Sequence, residues 1–239
     1  AEAYVDLASC YKYGWGVQRN YDEAFKYYKK AEEAEIPSAY FRLGLCYFLG
    51  EGTDVDLSLA QTYFEKALDL ANNKNAYFCL GRVHFENGNY LEAIKYFLEA
   101  QQISSDPTVY YWLGILYYLG RGVAVDRIKA FAYFKKSVDE GDKNPLWVME
   151  NDPIWGYTDS IWWLAFCYEH GEGCLKNPVI AFDLYKKGHE KGLHPCTYRM
   201  GLCHIYGNGC QKDEKYGRQL IQNAANNGYE AAQKWLQIN

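Results

Sequence analysis

The feature that most constrains this chain is its self-similarity at a period near 36 residues, because such a period commits a chain to a stack of like units rather than to one closed core. Residues 39–52 and 109–122 align without a gap, sharing Leu43 with Leu113, Gly44 with Gly114, Tyr47 with Tyr117, and the Gly50-x-Gly52 pair with Gly120-x-Gly122. The same frame fits from Ala3, Ser160 and Cys196, and more loosely from Ala76. The starts at 3, 39, 76, 109, 160 and 196 give steps of 36, 37, 33, 51 and 36, and a half-copy begins near Ala232.

Each copy reads as two helices. Small or apolar residues at offsets 0, +4, +7 and +8 from each start fall on one helical face. A Gly-x-Gly pair then ends the first helix, since glycine enters the left-handed region cheaply. Asn20, Asp56, Asp126, Asn177 and Asp213 are placed to cap a second helix. That helix carries a small residue followed by aromatics, as in Ala60 with Tyr63 and Phe64, or Ala130 with Tyr133 and Phe134. One such hairpin cannot bury its apolar face alone, so the copies are expected to stack.

The residues resemble the Sel1-like repeat family, a relative of the tetratricopeptide repeats, whose pattern is A-x3-LG-x2-Y-x2-G-x-GV-x2-D-x2-KA-x2-YY-x-KA. Residues 109–141 follow it closely, through Gly122-Val123, Asp126, Lys129-Ala130, Tyr133-Phe134 and Gly141. The third copy departs from it, with Asn87-Gly88-Asn89-Tyr90 in place of the Gly-x-Gly-Val loop, and is similar to an ordinary tetratricopeptide unit. The expected organisation is a single solenoid over 1–239. Its units are 1–36, 37–73, 74–106, 107–141, 158–193 and 194–228, with a Trp- and Pro-rich insertion at 142–159 and a cap at 229–239. The resemblance implies an all-α, right-handed solenoid with a concave face lined by first helices, and a non-enzymatic scaffold or adaptor role. Members of the family include adaptors of protein quality control, regulators of cell-wall synthesis, host-targeted factors and immunity proteins against secreted toxins. An immunity or inhibitor role, or an exported disulfide-containing protein that binds a cell-wall or host ligand, is the alternative.

In tetratricopeptide-like hairpins, offsets +2, +6, +9 and +10 point inward. Offset +2 reads Val5, Phe41, Phe78, Tyr111, Trp162 and Tyr198. Offset +6 reads Ser9, Leu45, Arg82, Ile115, Phe166 and Leu202, and offset +9 includes Phe48, Phe85, Tyr118 and Glu169. An apolar lane of this extent is expected to receive a peptide or partner helix, with aromatic anchors; tight winding would instead bury part of it against the next copy. The expected contact residues are Phe41, Leu45, Phe78, Arg82, Tyr111, Ile115, Tyr118, Trp162, Phe166 and Tyr198, joined by Trp147 and Trp155 of the insertion. Arg82, Glu169 and Asp159 would set register. The insertion, broken by Pro145 and Pro153, reads either as a clasp over the groove or as filler between the fourth and fifth copies. Trp112 and Trp163, at offset +3, point between groove and interface.

Composition narrows the partners. With 25 Lys and Arg against 30 Asp and Glu the net charge is −5, so the basic face of a general nucleic-acid binder is not expected. The longest apolar run, 109–120, is too short to span a membrane. Aromatics make up 18% of the residues, enough to supply such a lane. Self-association is a further expectation for an exposed lane. A cytoplasmic location is the first expectation, and an exported one follows if Ala1 is a processed N-terminus.

Eight cysteines leave alternatives open. Cys10, Cys46, Cys167 and Cys203 share offset +7, where other copies have Val83 and Leu116, which reads as a small buried residue. Cys167 with Cys174, and Cys203 with Cys210, share a spacing of seven that would also permit a loop disulfide. His194, Cys196, Cys203, His204 and Cys210 cluster in sequence but match no zinc-finger spacing. No cofactor is expected. The Gly-x-Gly pairs follow helices rather than strands, and no nucleophile has a local motif with a matching His and acid, so no enzyme is expected.

Overall fold

A computed structural model describes residues 2–143 and 157–238. Among these residues there are thirteen helices and no strand. The chain divides into two compact bodies, Ala1–Ser104 and Ser105–Asn239. In the first, α1 (Ala3–Tyr13), α2 (Tyr21–Glu33), α3 (Pro37–Leu49), α4 (Leu57–Ala71), α5 (Ala76–Glu86) and α6 (Tyr90–Ile103) form three hairpins, each helix packed on the next. In the second, α7 (Pro107–Leu119), α8 (Arg127–Lys143), α9 (Tyr157–His170), α10 (Pro178–Glu190), α11 (His194–Tyr206) and α12 (Glu214–Asn226) form three more, and α13 (Glu230–Ile238) packs on α12. The architecture is the all-α, solenoid-type stack of helical repeats expected.

Each hairpin is closed by the same contact. A small residue at offset +5 of the first helix faces a large side chain of the second that is fully buried: Tyr28, Phe64, Phe97, Phe134, Tyr185 or Ile221. At Gly114 a methyl group would lie 2.6 Å from the Phe134 ring, and Gly44 and Gly81 stand in the same relation to Phe64 and Phe97. Glycine is needed there because the ring occupies the space a side chain would take. Ala8 shares a core cluster with Tyr28, and Ala165 with Tyr185.

The turns follow from the sequence as well. Gly14, Gly50, Gly120 and Gly207 end their helices in the left-handed conformation. All five expected caps form: the side chain of Asn20, Asp56, Asp126, Asn177 or Asp213 accepts a backbone N–H two or three residues on. The second glycine of the pair has another task. At Gly173, where φ is +74°, a side chain would run into the carbonyl of Arg127 at the start of α8, so this glycine seats one repeat's loop against the preceding repeat. The third repeat turns differently, through Asn87 and a left-handed Gly88, as its departure from the pattern implied.

The ends of the insertion are shorter than expected. Asp142 and Lys143 continue α8, and α9 already begins at Tyr157. The rest of the insertion, including Pro145, Trp147, Pro153 and Trp155, lies outside the described residues. The helices flanking it are joined by a buried polar link that the sequence did not announce. The Ser137 hydroxyl donates to the Pro107 carbonyl at 2.6 Å and meets the Ser160 hydroxyl at 2.7 Å, tying α7, α8 and α9 together.

Two consequences can be measured by urea denaturation. Gly114→Ala should lose about 1–3 kcal/mol through overpacking against Phe134, and Gly173→Ala should lose more, because it meets backbone and also requires a left-handed alanine. Ser137→Ala should cost about 1–3 kcal/mol by stranding the Ser160 hydroxyl, and Ser137→Ala with Ser160→Ala should cost less than the sum of the two.

Candidate interaction site

The first-helix positions expected to form a lane fall into two groups, one in each body. In the first body, the Phe41 ring packs on Phe64 and the Phe78 ring on Phe97, both at 5.8 Å between centroids. Leu45 is buried. Arg82 is buried too, its guanidinium 5.5 Å from the centre of the Phe48 ring and paired with Glu86 at 2.8 Å. These side chains therefore serve the hairpins as well as the surface: the rings at +2 cover the buried phenylalanine of the second helix.

The second body gathers its candidates into one aromatic network. Trp162 stacks on Phe166 at 5.3 Å and meets Trp163 edge-on at 5.0 Å. Tyr118 lies 4.7 Å from Trp163 and 6.4 Å from Phe166. Trp163 in turn stacks on Phe134 at 5.5 Å, which roots the network in the hairpin core of the fourth repeat. Ile115 and Tyr111 are buried, and Tyr111 meets Trp112 at 5.1 Å. Tyr198 is half-buried and contacts Tyr229 at 5.6 Å.

Between these rings lies a cavity of about 240 Å³, lined by Tyr111, Asp159, Trp162, Trp163, Leu193, Pro195 and Tyr229. Among the described residues four elements supply it: α7 brings Tyr111; α9 brings Asp159 and the two tryptophans; Leu193 and Pro195 come from the start of α11; Tyr229 comes from the turn before α13. Of the expected contact residues it brings Tyr111 and Trp162 together, with Asp159 beside them. Trp163, Leu193, Pro195 and Tyr229 were missed. Trp163 belongs to the ambiguous offset; Leu193 and Tyr229 immediately precede helices and Pro195 stands in the first turn of α11, none of them at a repeating core position. Trp162 and Trp163 are half-buried, so their rings are presented to the cavity at limited cost in exposed apolar area. The indole N–H of Trp162 is buried and has no acceptor among the described residues.

Two charged residues expected to set register are otherwise occupied. Glu169 accepts the Tyr185 hydroxyl at 2.6 Å and pairs with Arg199 at 3.6 Å. Burial and this carboxylate together push the Tyr185 phenol well above its ordinary range. Arg82 is held by Glu86, as above. Both act inside their own hairpins or between neighbouring repeats.

All eight cysteines are free thiols, which replaces the disulfide alternative at Cys167/Cys174 and Cys203/Cys210; Cys174 donates instead to the Cys167 carbonyl at 3.5 Å. Burial pushes Cys46, Cys167, Cys196 and Cys203 up to about 12. Cys210 lies 3.7 Å from His204. Among the described residues no three His, Cys, Asp or Glu side chains converge as a metal site would require.

Comparison with known proteins follows the same register. The Sel1 repeat model matches residues 1–35, 37–72, 107–142, 158–193 and 194–229, and a tetratricopeptide repeat model matches 75–106, the copy whose turn departs from the pattern. The chain belongs to the Sel1 repeat family. Sel1 and tetratricopeptide repeats are in general non-enzymatic scaffolds for protein interaction. Among solved structures, a protective antigen of uropathogenic Escherichia coli with this fold superposes with a TM-score of 0.76 at 23% identity, over 98% of this chain and 47% of the antigen. A Sel1 repeat protein from Oxalobacter formigenes gives 0.73 at 25% identity, over 93% and 84%. A Sel1-like repeat-containing protein of Schizosaccharomyces pombe is 24% identical over 88% of this chain and 32% of its own length. The chain spans about half or less of the curated relatives it matches. Among the described residues no helix is long and apolar enough to cross a membrane.

The thiol environments of this Sel1 protein predict a titration. At pH 8 a disulfide-exchange reagent should react rapidly with no more than Cys10, Cys174 and Cys210, the three half-buried thiols, and with all eight only in denaturant. Rapid reaction of five or more in the native state would contradict the burial described.

Proposed function

We propose that this Sel1 repeat chain is a non-enzymatic recognition scaffold that binds a protein or peptide along its first helices, with the Tyr111–Trp162–Trp163–Tyr229 cavity of the second body as the anchoring point. The observation that carries this reading is the cavity itself. Two half-buried tryptophans and two tyrosines from three separate elements surround an open space, which is the arrangement that interface anchors use. Its volume of about 240 Å³ lies below the roughly 300–1,000 Å³ of small-molecule pockets and suits a single side chain of a partner. Tyr118, Phe166 and Tyr198 extend the same apolar surface, and Phe41 and Phe78 offer a second, separate stretch in the first body. Trp147 and Trp155 are kept as candidate contacts on sequence alone.

The rings are preorganised. Trp163 is stacked on Phe134 and Trp162 on Phe166, so little rotamer freedom is lost when a partner arrives. The test is selection of peptides from a displayed random library on the wild-type chain. It is followed by affinity measurement on Trp162→Ala and Tyr111→Ala variants shown by circular dichroism to keep their helices. Selected peptides should weaken about 30-fold on Trp162→Ala, the loss typical of an interface hot spot. Peptides that bind both variants as tightly as the wild type would place recognition elsewhere and overturn the reading.

A further inference from the structure

The repeat frame lets one part of the chain serve as a template for another. Between the fifth and sixth repeats, Glu169 of α9 accepts the hydroxyl of the buried Tyr185 at 2.6 Å and pairs with Arg199 of α11 at 3.6 Å. A carboxylate there joins a phenol to a guanidinium. The same three positions recur between the first and second repeats. Tyr28 stands at the position of Tyr185, Arg42 at that of Arg199, and Lys12 at that of Glu169. The phenol and the guanidinium are kept, and the acid between them is replaced by a cation.

The first body supplies no acid in its place. Lys12 turns to Glu51 of the next loop at 2.6 Å. The Ser9 hydroxyl donates to the Val5 carbonyl at 2.9 Å, so the Tyr28 hydroxyl is left to donate to Ser9 across a long 3.4 Å. Arg42 is half-buried, and its side chain makes no hydrogen bond or ion pair among the described residues. Both cations face the phenol: burial pushes Tyr28 up, while the Ser9 bond and the charges of Arg42 and Lys12 pull the other way. Glu169 and Arg199 balance each other, whereas Lys12, Arg42 and Glu51 leave one positive charge over, in a chain whose net charge is −5. A guanidinium partly withdrawn from water without a partner gains most from an anion brought by a ligand.

Resting on the recognition role proposed above, we infer that Arg42, with Lys12 beside it, binds an aspartate or glutamate side chain of an acidic partner segment, in the place that Glu169 fills in the second body. Tyr28 is fully buried, so the ligand's contacts fall to the two cations. A single carboxylate matches the one uncompensated charge, which a phosphate dianion would exceed.

The probe is the tripeptide N-acetyl-Gly-Glu-Gly-amide, compared with its glutamine counterpart, which keeps the shape and loses the charge. Binding is followed through the Arg42 side-chain Nε–H signal of the ¹⁵N-labelled full chain, assigned with Arg42→Lys. The glutamate peptide should shift that signal saturably, and the glutamine peptide should bind about tenfold more weakly. Lys12→Glu with Glu51→Asn transplants the arrangement of the second body, since Asn208 stands at the position of Glu51. This double change should fill the place from within and abolish binding, with no loss of stability in urea; retained binding would overturn the inference. If the altered chain melts early, the glutamate–glutamine comparison on the unaltered chain carries the test by itself. Equal binding of the two peptides, or no shift of Arg42 up to about 10 mM, would overturn the inference. Inorganic phosphate binding more tightly than the glutamate peptide would do the same. Each of these outcomes leaves the recognition role intact, because the displayed-peptide selection reads that role separately at Trp162 and Tyr111.

Discussion

Everything in this molecule depends on how closely two helices of a repeat can approach. The approach is set by a glycine or alanine against one large buried side chain, repeated as Ala8 with Tyr28, Gly44 with Phe64, Gly81 with Phe97, Gly114 with Phe134, Ala165 with Tyr185 and Gly201 with Ile221. Six hairpins of one geometry follow from one pair of positions. Once the hairpin is set, the loop geometry follows: the left-handed glycine ends the first helix, the second glycine lets the turn sit against the neighbouring repeat, and an Asp or Asn starts the second helix. The stacking energy is then distributed over many small apolar contacts between neighbours rather than concentrated in one core.

The identity of the buried ring also shapes the surface above it. Where it is tyrosine, its hydroxyl must be satisfied, and the first helix answers with a polar residue: Ser9 lies 3.4 Å from the Tyr28 hydroxyl, and Glu169 accepts from Tyr185. Where it is phenylalanine, the first helix covers it with more rings, as Phe41 and Phe48 do for Phe64, and Tyr118 does for Phe134. The alternation of polar and apolar residues along the inward positions is thus partly a record of what each hairpin needs. Only the rings left with a free face after that demand is met are available to a partner.

This explains why the fold was legible in the sequence and the site only in part. Caps and turn glycines are local patterns, each readable within about a dozen residues, and the structure places them as expected. Tyr111 and Trp162 were found because they share an offset in the repeat. The other walls of the cavity obey no offset. Trp163 sits one position on from its neighbour and is directed by stacking on Phe134, and Leu193, Pro195 and Tyr229, at or just before helix starts, are brought in by the stacking of later repeats. A site assembled from residues 111 to 229 is a product of superhelical packing, which a repeat frame read one copy at a time does not contain. Arg82 and Glu169, charged residues at inward offsets, also bond within the scaffold, Arg82 to Glu86 and Glu169 to Tyr185 and Arg199.

The position of the cavity has a physical logic in the frame itself. A regular solenoid repeats its surface, so a site distinct from its neighbours needs a break in the period. The 51-residue step between the fourth and fifth repeats is the largest such break, and α9 begins on its far side with Asp159, Trp162 and Trp163 in its first two turns. The Ser137–Ser160–Pro107 link holds α7, α8 and α9 together across that break, where Trp163 stacks on Phe134 and Trp162 on Phe166. At the other side, Tyr229 comes from the turn leading into α13, where the repeat series gives way to a single packed helix. The cavity therefore lies where two irregularities bracket regular repeats, and it combines Tyr111 and Trp162 at a regular offset with Trp163 and Tyr229, which follow none.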